Sequence, residues 1–123
     1  MIGGFSEGFR QAGWNFSWTG FSEIYKPAIE IYQRHFPDAV PLGDITKIDC
    51  STLPKIDLIT AGSPCQDFSV ANPSGKGLDG ERSGLIWEVF KIAKETQPEW
   101  LVLENVRGLL SKSGGRDFAR ILI

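Results

Sequence analysis

Apolar residues recur along this chain at two spacings, one typical of amphipathic helices and the other of short buried strands. Phe5, Phe9 and Ala12 show the helical spacing, and Gly13 after them is typical of a helix end. The predicted helices span residues 3–13, 25–36 and 84–96, with another beginning at 114, and the predicted strands span 16–22, 57–62 and 99–103. Three prolines and one glycine predict that residues 37–56 are irregular. The alternation of helices and strands predicts an α/β fold, with a parallel sheet and flanking helices.

The most informative stretch is residues 57–69, where an apolar run ends in Gly62 and a Pro-Cys-Gln turn follows. Ligands of open α/β sheets bind outside the carboxyl ends of the strands, so this strand would present Cys65 at such a site. Pro64 fixes its own φ and stiffens the turn. A free cysteine is more commonly a small buried hydrophobe, but the polar neighbours favour a functional thiol. Cys50 follows no rigid strand end and is interpreted as structural.

Acidic residues follow several of these predicted elements. Glu23 lies 20 residues after Gly3, the spacing of a ribose-binding acid, although a helix N-terminal acid is the alternative. Asp44 lies in a short turn and is either a ligand group or an ordinary Asx turn. Glu104 directly follows a predicted strand. In one parallel sheet these three acids and Cys65 would share a rim, where a thiol beside a carboxylate suits covalent catalysis.

Composition limits the remaining possibilities. The chain has 123 residues, 41% of them hydrophobic and 23% charged, which predicts a globular chain of one domain at most. A net charge of −2 means that any DNA contact needs a local patch or further sequence. Two widely spaced cysteines fit the cytoplasm, and no signal peptide or membrane-length apolar run is evident. A single histidine, His35, argues against a histidine-based metal site, so no metal is expected.

Six segments resemble motifs of the DNA (cytosine-5)-methyltransferases in both order and spacing. Gly62-Ser-Pro-Cys-Gln-Asp-Phe-Ser69 and Glu104-Asn-Val106 are similar to the family's Pro-Cys-Gln and Glu-Asn-Val motifs. The other four are Ile2-Gly-Gly-Phe5, Phe21-Ser-Glu-Ile24, Gly43-Asp-Ile-Thr46 and Arg82-Ser-Gly-Leu85. The resemblance covers essentially the whole chain. It implies a Rossmann-like S-adenosylmethionine-dependent methyltransferase fold, incomplete at both ends, with residues 1–123 forming a partial catalytic domain that lacks the target-recognition domain.

The resemblance also implies a reaction, in which a methyl group passes from S-adenosylmethionine to carbon 5 of a flipped cytosine in double-stranded DNA. Cys65 would attack carbon 6 of the base, and Glu104 would hydrogen-bond or protonate N3. The implied supporting residues are Pro64, Gln66 and Asn105. The implied cofactor-binding residues are Gly3, Gly4, Glu23 at the ribose, Ile24, Asp44 at the adenine amino group, Ile45, Pro64 and Leu85. The implied DNA-facing residues are Gln66, Ser69 and Arg82. The implied location is the cytoplasm, in association with the nucleoid.

The chain also departs from the family pattern. The strand that normally opens the first motif is missing, as are the later arginine motif, the target-recognition domain and the last motif. We therefore expect an N-terminal catalytic fragment that binds cofactor weakly and is inactive alone. The alternative is a non-catalytic remnant or split subunit that works with a partner chain carrying the missing motifs.

Two other enzyme classes are disfavoured by the same residues. A zinc-dependent base deaminase needs a second cysteine close after Pro64-Cys65, and the sequence has none there. A dinucleotide oxidoreductase needs a three-glycine fingerprint after a strand, which is also missing.

Overall fold

The computed structural model describes residues 3–62, 84–105, 107–111 and 115–122, and they form a mixed α/β structure. The chain divides into two compact units, Met1–Asp49 and Cys50–Ile123. Within the described residues, each unit holds one two-stranded parallel sheet. The α/β class and the parallel pairing are thus confirmed, while the Rossmann-like arrangement of a single sheet stays a prediction.

The N-terminal unit contains two helices and two strands: α1 at Gly4–Gln11, β1 at Gly20–Ser22, α2 at Lys26–His35 and β2 at Val40–Gly43. A single 3-10 turn, Ile45–Lys47, follows β2 among the described residues of this unit. Strand β1 is shorter than the predicted strand 16–22. The prediction that residues 37–56 are irregular was wrong for Val40–Gly43, because these residues form β2 and pair with β1. Pro41 lacks an N–H donor, and proline within a segment is usually evidence against a strand. Proline is tolerated when the side of the strand that lacks the N–H needs no partner.

Helix α1 is flanked by a left-handed glycine at each end. Gly3 precedes it at φ 79°, and a Cβ there would lie 3.2 Å from ring atoms of both Tyr32 and Phe36. At the other end, Gly13 adopts φ 80° and donates its N–H to the Arg10 carbonyl at 3.1 Å. This left-handed glycine closes the helix, so the predicted stop is confirmed.

Tyr32 on α2 connects the helices and the sheet of the N-terminal unit. Its ring centroid lies 4.4 Å from that of Phe21 on β1 and 4.9 Å from that of Phe36. Its hydroxyl is 2.7 Å from that of Ser6 on α1. Pro27 lies in the first turn of α2, where its missing N–H costs no helical hydrogen bond. The contacts of Tyr32 connect α2 to β1 through Phe21 and to α1 through Ser6.

The C-terminal unit contains the longer strands: β3 at Leu58–Gly62 and β4 at Trp100–Glu104. They pair in parallel without a bulge, from Leu58 opposite Trp100 to Gly62 opposite Glu104. The helices are α3 at Leu85–Thr96, α4 at Gly108–Ser111 and α5 at Arg116–Leu122, with a 3-10 turn at Cys50–Thr52. Apart from shifts of about one residue, β3, α3 and β4 confirm the predicted elements, whereas α4 was not predicted. The predicted polar loop 70–82 lies outside the described residues.

The core of this unit forms where α3 packs against β4 and the last two helices. Ile86 is 2% exposed and packs with Leu109, and Phe90, Leu103, Phe118 and Ile121 surround them. Full burial of an isoleucine side chain contributes about 1.5–3 kcal/mol. The core therefore anchors β4, whose last residue carries the predicted catalytic carboxylate. Among the helices in the described ranges, none is long and apolar enough to serve as a membrane span.

Candidate active site

Glu23 directly follows β1, and one of its carboxylate oxygens is already engaged. Oε1 accepts hydrogen bonds from the backbone N–H groups of Ile24 and Tyr25, at 3.1 and 3.0 Å. Tyr25 is the N-cap of α2, so Glu23 binds N–H groups at the start of this helix. This contact agrees with the alternative prediction for Glu23, a helix N-terminal acid. Oε2 accepts no hydrogen bond from the described residues. The carboxylate is thus oriented by its own chain, and the described residues leave Oε2 available to an external donor.

Asp44 directly follows β2 and is oriented in the same manner. Its Oδ1 accepts from the Thr46 hydroxyl at 2.7 Å and from the Thr46 N–H at 2.9 Å. The Thr46 hydroxyl, then its N–H, and to a smaller extent the charge of Lys47, lower the pKa of Asp44 below its ordinary value of 3.8. The side chain is therefore ionised at neutral pH. As with Glu23, the second oxygen accepts no bond from the described part of the chain.

The pairing of β1 with β2 brings these two acids to the same edge of the sheet. Ser22, just before Glu23, pairs with Gly43, just before Asp44. The register shifts between Phe21 and Ser22, and Gly43 adopts φ 74° at this bulge. Two carboxylates, each with one oxygen that the described residues leave unbonded, therefore follow neighbouring parallel strands, where ligands of α/β sheets bind.

The other predicted cofactor residues of this unit differ in what surrounds them. Ile24 is 73% exposed beside Glu23, so a large apolar side chain lies uncovered next to an oriented carboxylate. Ile45 is half-buried in the turn after Asp44. Gly3 packs against Tyr32 and Phe36, which is a structural reason for glycine there, and Gly4 is the first residue of α1.

The catalytic half of the prediction falls in the C-terminal unit. Glu104 ends β4 opposite Gly62, and its side chain is exposed. Asn105 follows it and is half-buried, and Leu85 begins α3. The predicted residues Pro64, Cys65, Gln66, Ser69 and Arg82 lie outside the described residues. That Glu23, Asp44, Cys65 and Glu104 share one rim stays a prediction.

Two polar residues beside the acids were missed as functional candidates. The Ser22 hydroxyl donates to the Gly43 carbonyl at 2.7 Å, and Thr46 binds Asp44 twice. The available signal was a hydroxyl residue within two positions of an acid at a strand end. The described residues contain no cluster of three or more His, Cys, Asp or Glu side chains that could hold a metal ion.

Comparison with known proteins identifies relatives over the whole chain. The model of the family described as C-5 cytosine-specific DNA methylase matches residues 1–123. The orphan methyltransferase M.Rho11sI of Bacillus phage rho11s is 40% identical over 116 residues, covering 93% of this chain and 23% of the phage protein. The type II methyltransferase M1.ScrFI of Lactococcus lactis subsp. cremoris is 45% identical over 101 residues, 82% of this chain and 25% of that protein. The type II methyltransferase M.NgoBI of Neisseria gonorrhoeae is 38% identical over 121 residues, 98% of this chain and 37% of that protein. The chain spans about a quarter of the length of the first two relatives and somewhat more of the third.

Proposed function

The chain belongs to the C-5 cytosine-specific DNA methylase family, as its motifs predicted, and we propose that it supplies the cofactor-binding and nucleophile-bearing part of an enzyme that methylates carbon 5 of cytosine in DNA. The observation that carries this proposal is the register of β3 with β4. Glu104 lies directly opposite Gly62, and Cys65 follows Gly62 by three residues. Since three residues span at most about 11 Å, the sulfur and the carboxyl are tethered to neighbouring strand ends.

In the proposed reaction the thiolate of Cys65 forms a bond to carbon 6 of cytosine, and Glu104 donates a hydrogen bond or proton to N3. Withdrawing electrons at N3 makes carbon 6 electrophilic, and addition at carbon 6 makes carbon 5 nucleophilic. After carbon 5 has gained its methyl group, a base removes the proton there, and the bond between Sγ and carbon 6 breaks to release Cys65. Pro64, Gln66 and Asn105 would support these two groups.

The N-terminal unit has groups that fit S-adenosylmethionine, which when bound would supply an electrophilic methyl group. The ribose hydroxyls and the adenine amino group are donors, and Glu23 and Asp44 each have one acceptor oxygen that no described residue binds. The exposed side chain of Ile24 suits contact with the flat face of a purine ring. We assign Glu23 to the ribose and Asp44 to the adenine, with Gly3, Gly4, Ile45, Pro64 and Leu85 lining the cofactor.

Double-stranded DNA is the proposed substrate. The ring carbons of a stacked cytosine are out of reach of a side chain, so the base has to be flipped. Gln66, Ser69 and Arg82 are proposed to face the DNA. A net charge of −2 is unfavourable for binding phosphates, so most of the affinity is expected to come from other sequence.

A trapping experiment tests the role of Cys65 with the protein expressed from its complete reading frame. DNA that contains 5-fluorocytosine should form a covalent adduct, because fluorine at carbon 5 cannot leave as a proton does. Cys65→Ala should form none, whereas Cys50→Ala, the matched change at the other cysteine, should form as much as the unaltered protein. Equal adduct yields from Cys65→Ala and the unaltered protein would remove Cys65 from this role.

A complementation assay separates this proposal from the alternative, a remnant or split subunit that needs a complementing chain. Because the chain spans about a quarter of the first relatives' length, residues 1–123 alone should show no turnover with tritiated cofactor and mixed-sequence DNA. Methyl transfer that appears only when a second polypeptide with the missing motifs is added would favour the split arrangement. Robust turnover by residues 1–123 alone would contradict both readings.

A further inference from the structure

One side-chain hydrogen bond ties the two strand ends that carry the acids of the N-terminal unit. The Ser22 hydroxyl donates to the Gly43 carbonyl at 2.7 Å. This bond lies at the bulge, where the pairing skips Leu42 and Ser22 faces Gly43. A bulge locally disrupts the ladder of backbone hydrogen bonds, so the strands are least firmly held together there. The hydroxyl bond supplies a tie at that point.

The position of this tie gives it a specific consequence. Each residue that it joins directly precedes one of the two acids, Glu23 after Ser22 and Asp44 after Gly43. Each acid is in turn oriented by its own following turn, Glu23 by the N–H groups of Ile24 and Tyr25, and Asp44 by Thr46. Because each carboxylate is oriented by its own turn, the distance between the two carboxylates depends on the separation of the two strand ends.

We propose that Ser22 is a positioning residue for the cofactor: its bond to Gly43 sets the spacing between the carboxylates of Glu23 and Asp44. This inference rests on the proposed binding of S-adenosylmethionine by those two acids. A single nucleoside that contacts one acid through its ribose and the other through its base requires a defined distance between them, because misplacement of about 1 Å weakens or breaks a hydrogen bond. Ser22 itself touches no ligand and acts through the strand ends.

Steady-state kinetics with the protein from its complete reading frame test the proposal. Ser22→Ala should raise the KM for S-adenosylmethionine about fivefold, the effect of losing roughly one hydrogen bond. The KM for DNA and kcat should stay within about twofold of their original values. Ser17→Ala is the matched control, since Ser17 is exposed and forms no hydrogen bond with the described residues, and its KM values should not change.

A second pair of variants separates positioning from folding. Ser22→Thr keeps the hydroxyl and adds a methyl group, and Ser22→Val has the shape of the threonine variant with a methyl group in place of that hydroxyl; both residues suit a strand. Ser22→Thr should retain the original KM for the cofactor, while Ser22→Val should show the same increase as Ser22→Ala. Equal KM values for the Thr and Val variants would overturn the proposal, as would equal increases in the KM values for cofactor and DNA.

The variants Glu23→Gln and Asp44→Asn distinguish failure of this inference from failure of the proposed cofactor site. If both raise the KM for S-adenosylmethionine but Ser22→Val does not, the cofactor site stands and the positioning role of Ser22 is wrong. If neither acid variant changes that KM, the proposed cofactor site fails, and the role of Ser22 fails with it.

Discussion

Gly62 and Glu104 lie opposite each other at the last paired position of β3 and β4. The uninterrupted register from Leu58 and Trp100 onwards holds this relationship, because each pair of residues is set by the one before it. Two strands that the sequence separates by 37 residues therefore end at the same level. The proposed nucleophile, Cys65, follows one strand by three residues and the carboxylate of Glu104 ends the other, so the chain tethers both to adjacent strand ends.

Replacing Glu104 with glutamine should reduce kcat by about 10²–10⁴-fold, the contribution typical of a positioned acid. The affinity for S-adenosylmethionine, measured by calorimetry, should stay the same, because the side chain is proposed to contact the base. Glu99→Gln is the control, since Glu99 is also exposed and lies just before Trp100, the first residue of the same strand. An unchanged kcat for Glu104→Gln in a tritium-transfer assay would rule out its proposed role.

Replacing Thr46 with valine should raise the pKa of Asp44 towards its ordinary value, because the hydroxyl is the main cause of the lowered pKa. Asp44 has a lower pKa in the folded protein than in the unfolded chain. Its ionised form therefore contributes stability above the unfolded value of 3.8, and that contribution is lost as the pH falls through the lower folded pKa. In Thr46→Val the contribution should be smaller and its loss should be complete at a higher pH, because the folded pKa lies closer to 3.8, and Thr46→Ser, which keeps a hydroxyl, should behave as the original protein. Carboxyl titration by NMR measures the shift, and identical Asp44 curves for the valine and serine variants would contradict the prediction.

Replacing Gly43 with alanine should lower the free energy of unfolding by about 1–2 kcal/mol, because φ 74° is unfavourable for a residue with a Cβ. Space is not the cause, since a Cβ at Gly43 would meet no atom within 4 Å. Gly8→Ala is the matched control: the site within α1 is equally open, and alanine there should raise stability by about 0.5–1 kcal/mol. Urea unfolding measures both changes, and equal effects of the two substitutions would show that the backbone conformation at Gly43 is not the reason.

Replacing Ile24 with alanine should weaken the binding of S-adenosylmethionine severalfold without lowering the midpoint of thermal unfolding. Its side chain is 73% exposed, so truncation removes little buried surface from the protein but removes an apolar contact from the proposed purine site. Ile31→Ala on α2, where isoleucine is 43% exposed, is the control and should leave cofactor affinity unchanged. Equal cofactor affinities of the two variants, measured by calorimetry, would place Ile24 outside the site.

The sequence alone determined the features that depend on neighbouring residues. Gly13 ends α1 because glycine readily adopts the left-handed conformation that closes a helix. The apolar, β-branched run before Gly62 favours a strand, and it forms β3. The motif residues, and with them the family, were also readable without any contacts. These are local properties, so distant parts of the chain could not change them.

Only the tertiary structure decided how distant segments pair. Val40–Gly43 is a strand despite Pro41 because β1 provides a partner for it, and no pattern within the segment reveals that partner. Ile86 on α3 is the most buried residue of the described core because Leu109 packs against it, and the predicted helix 84–96 does not by itself reveal that partner. The bulge that places Ser22 opposite Gly43 also depends on the pairing of two distant segments. Pairing and packing depend on which surfaces meet, and the free energy of that meeting is shared between residues far apart in the chain.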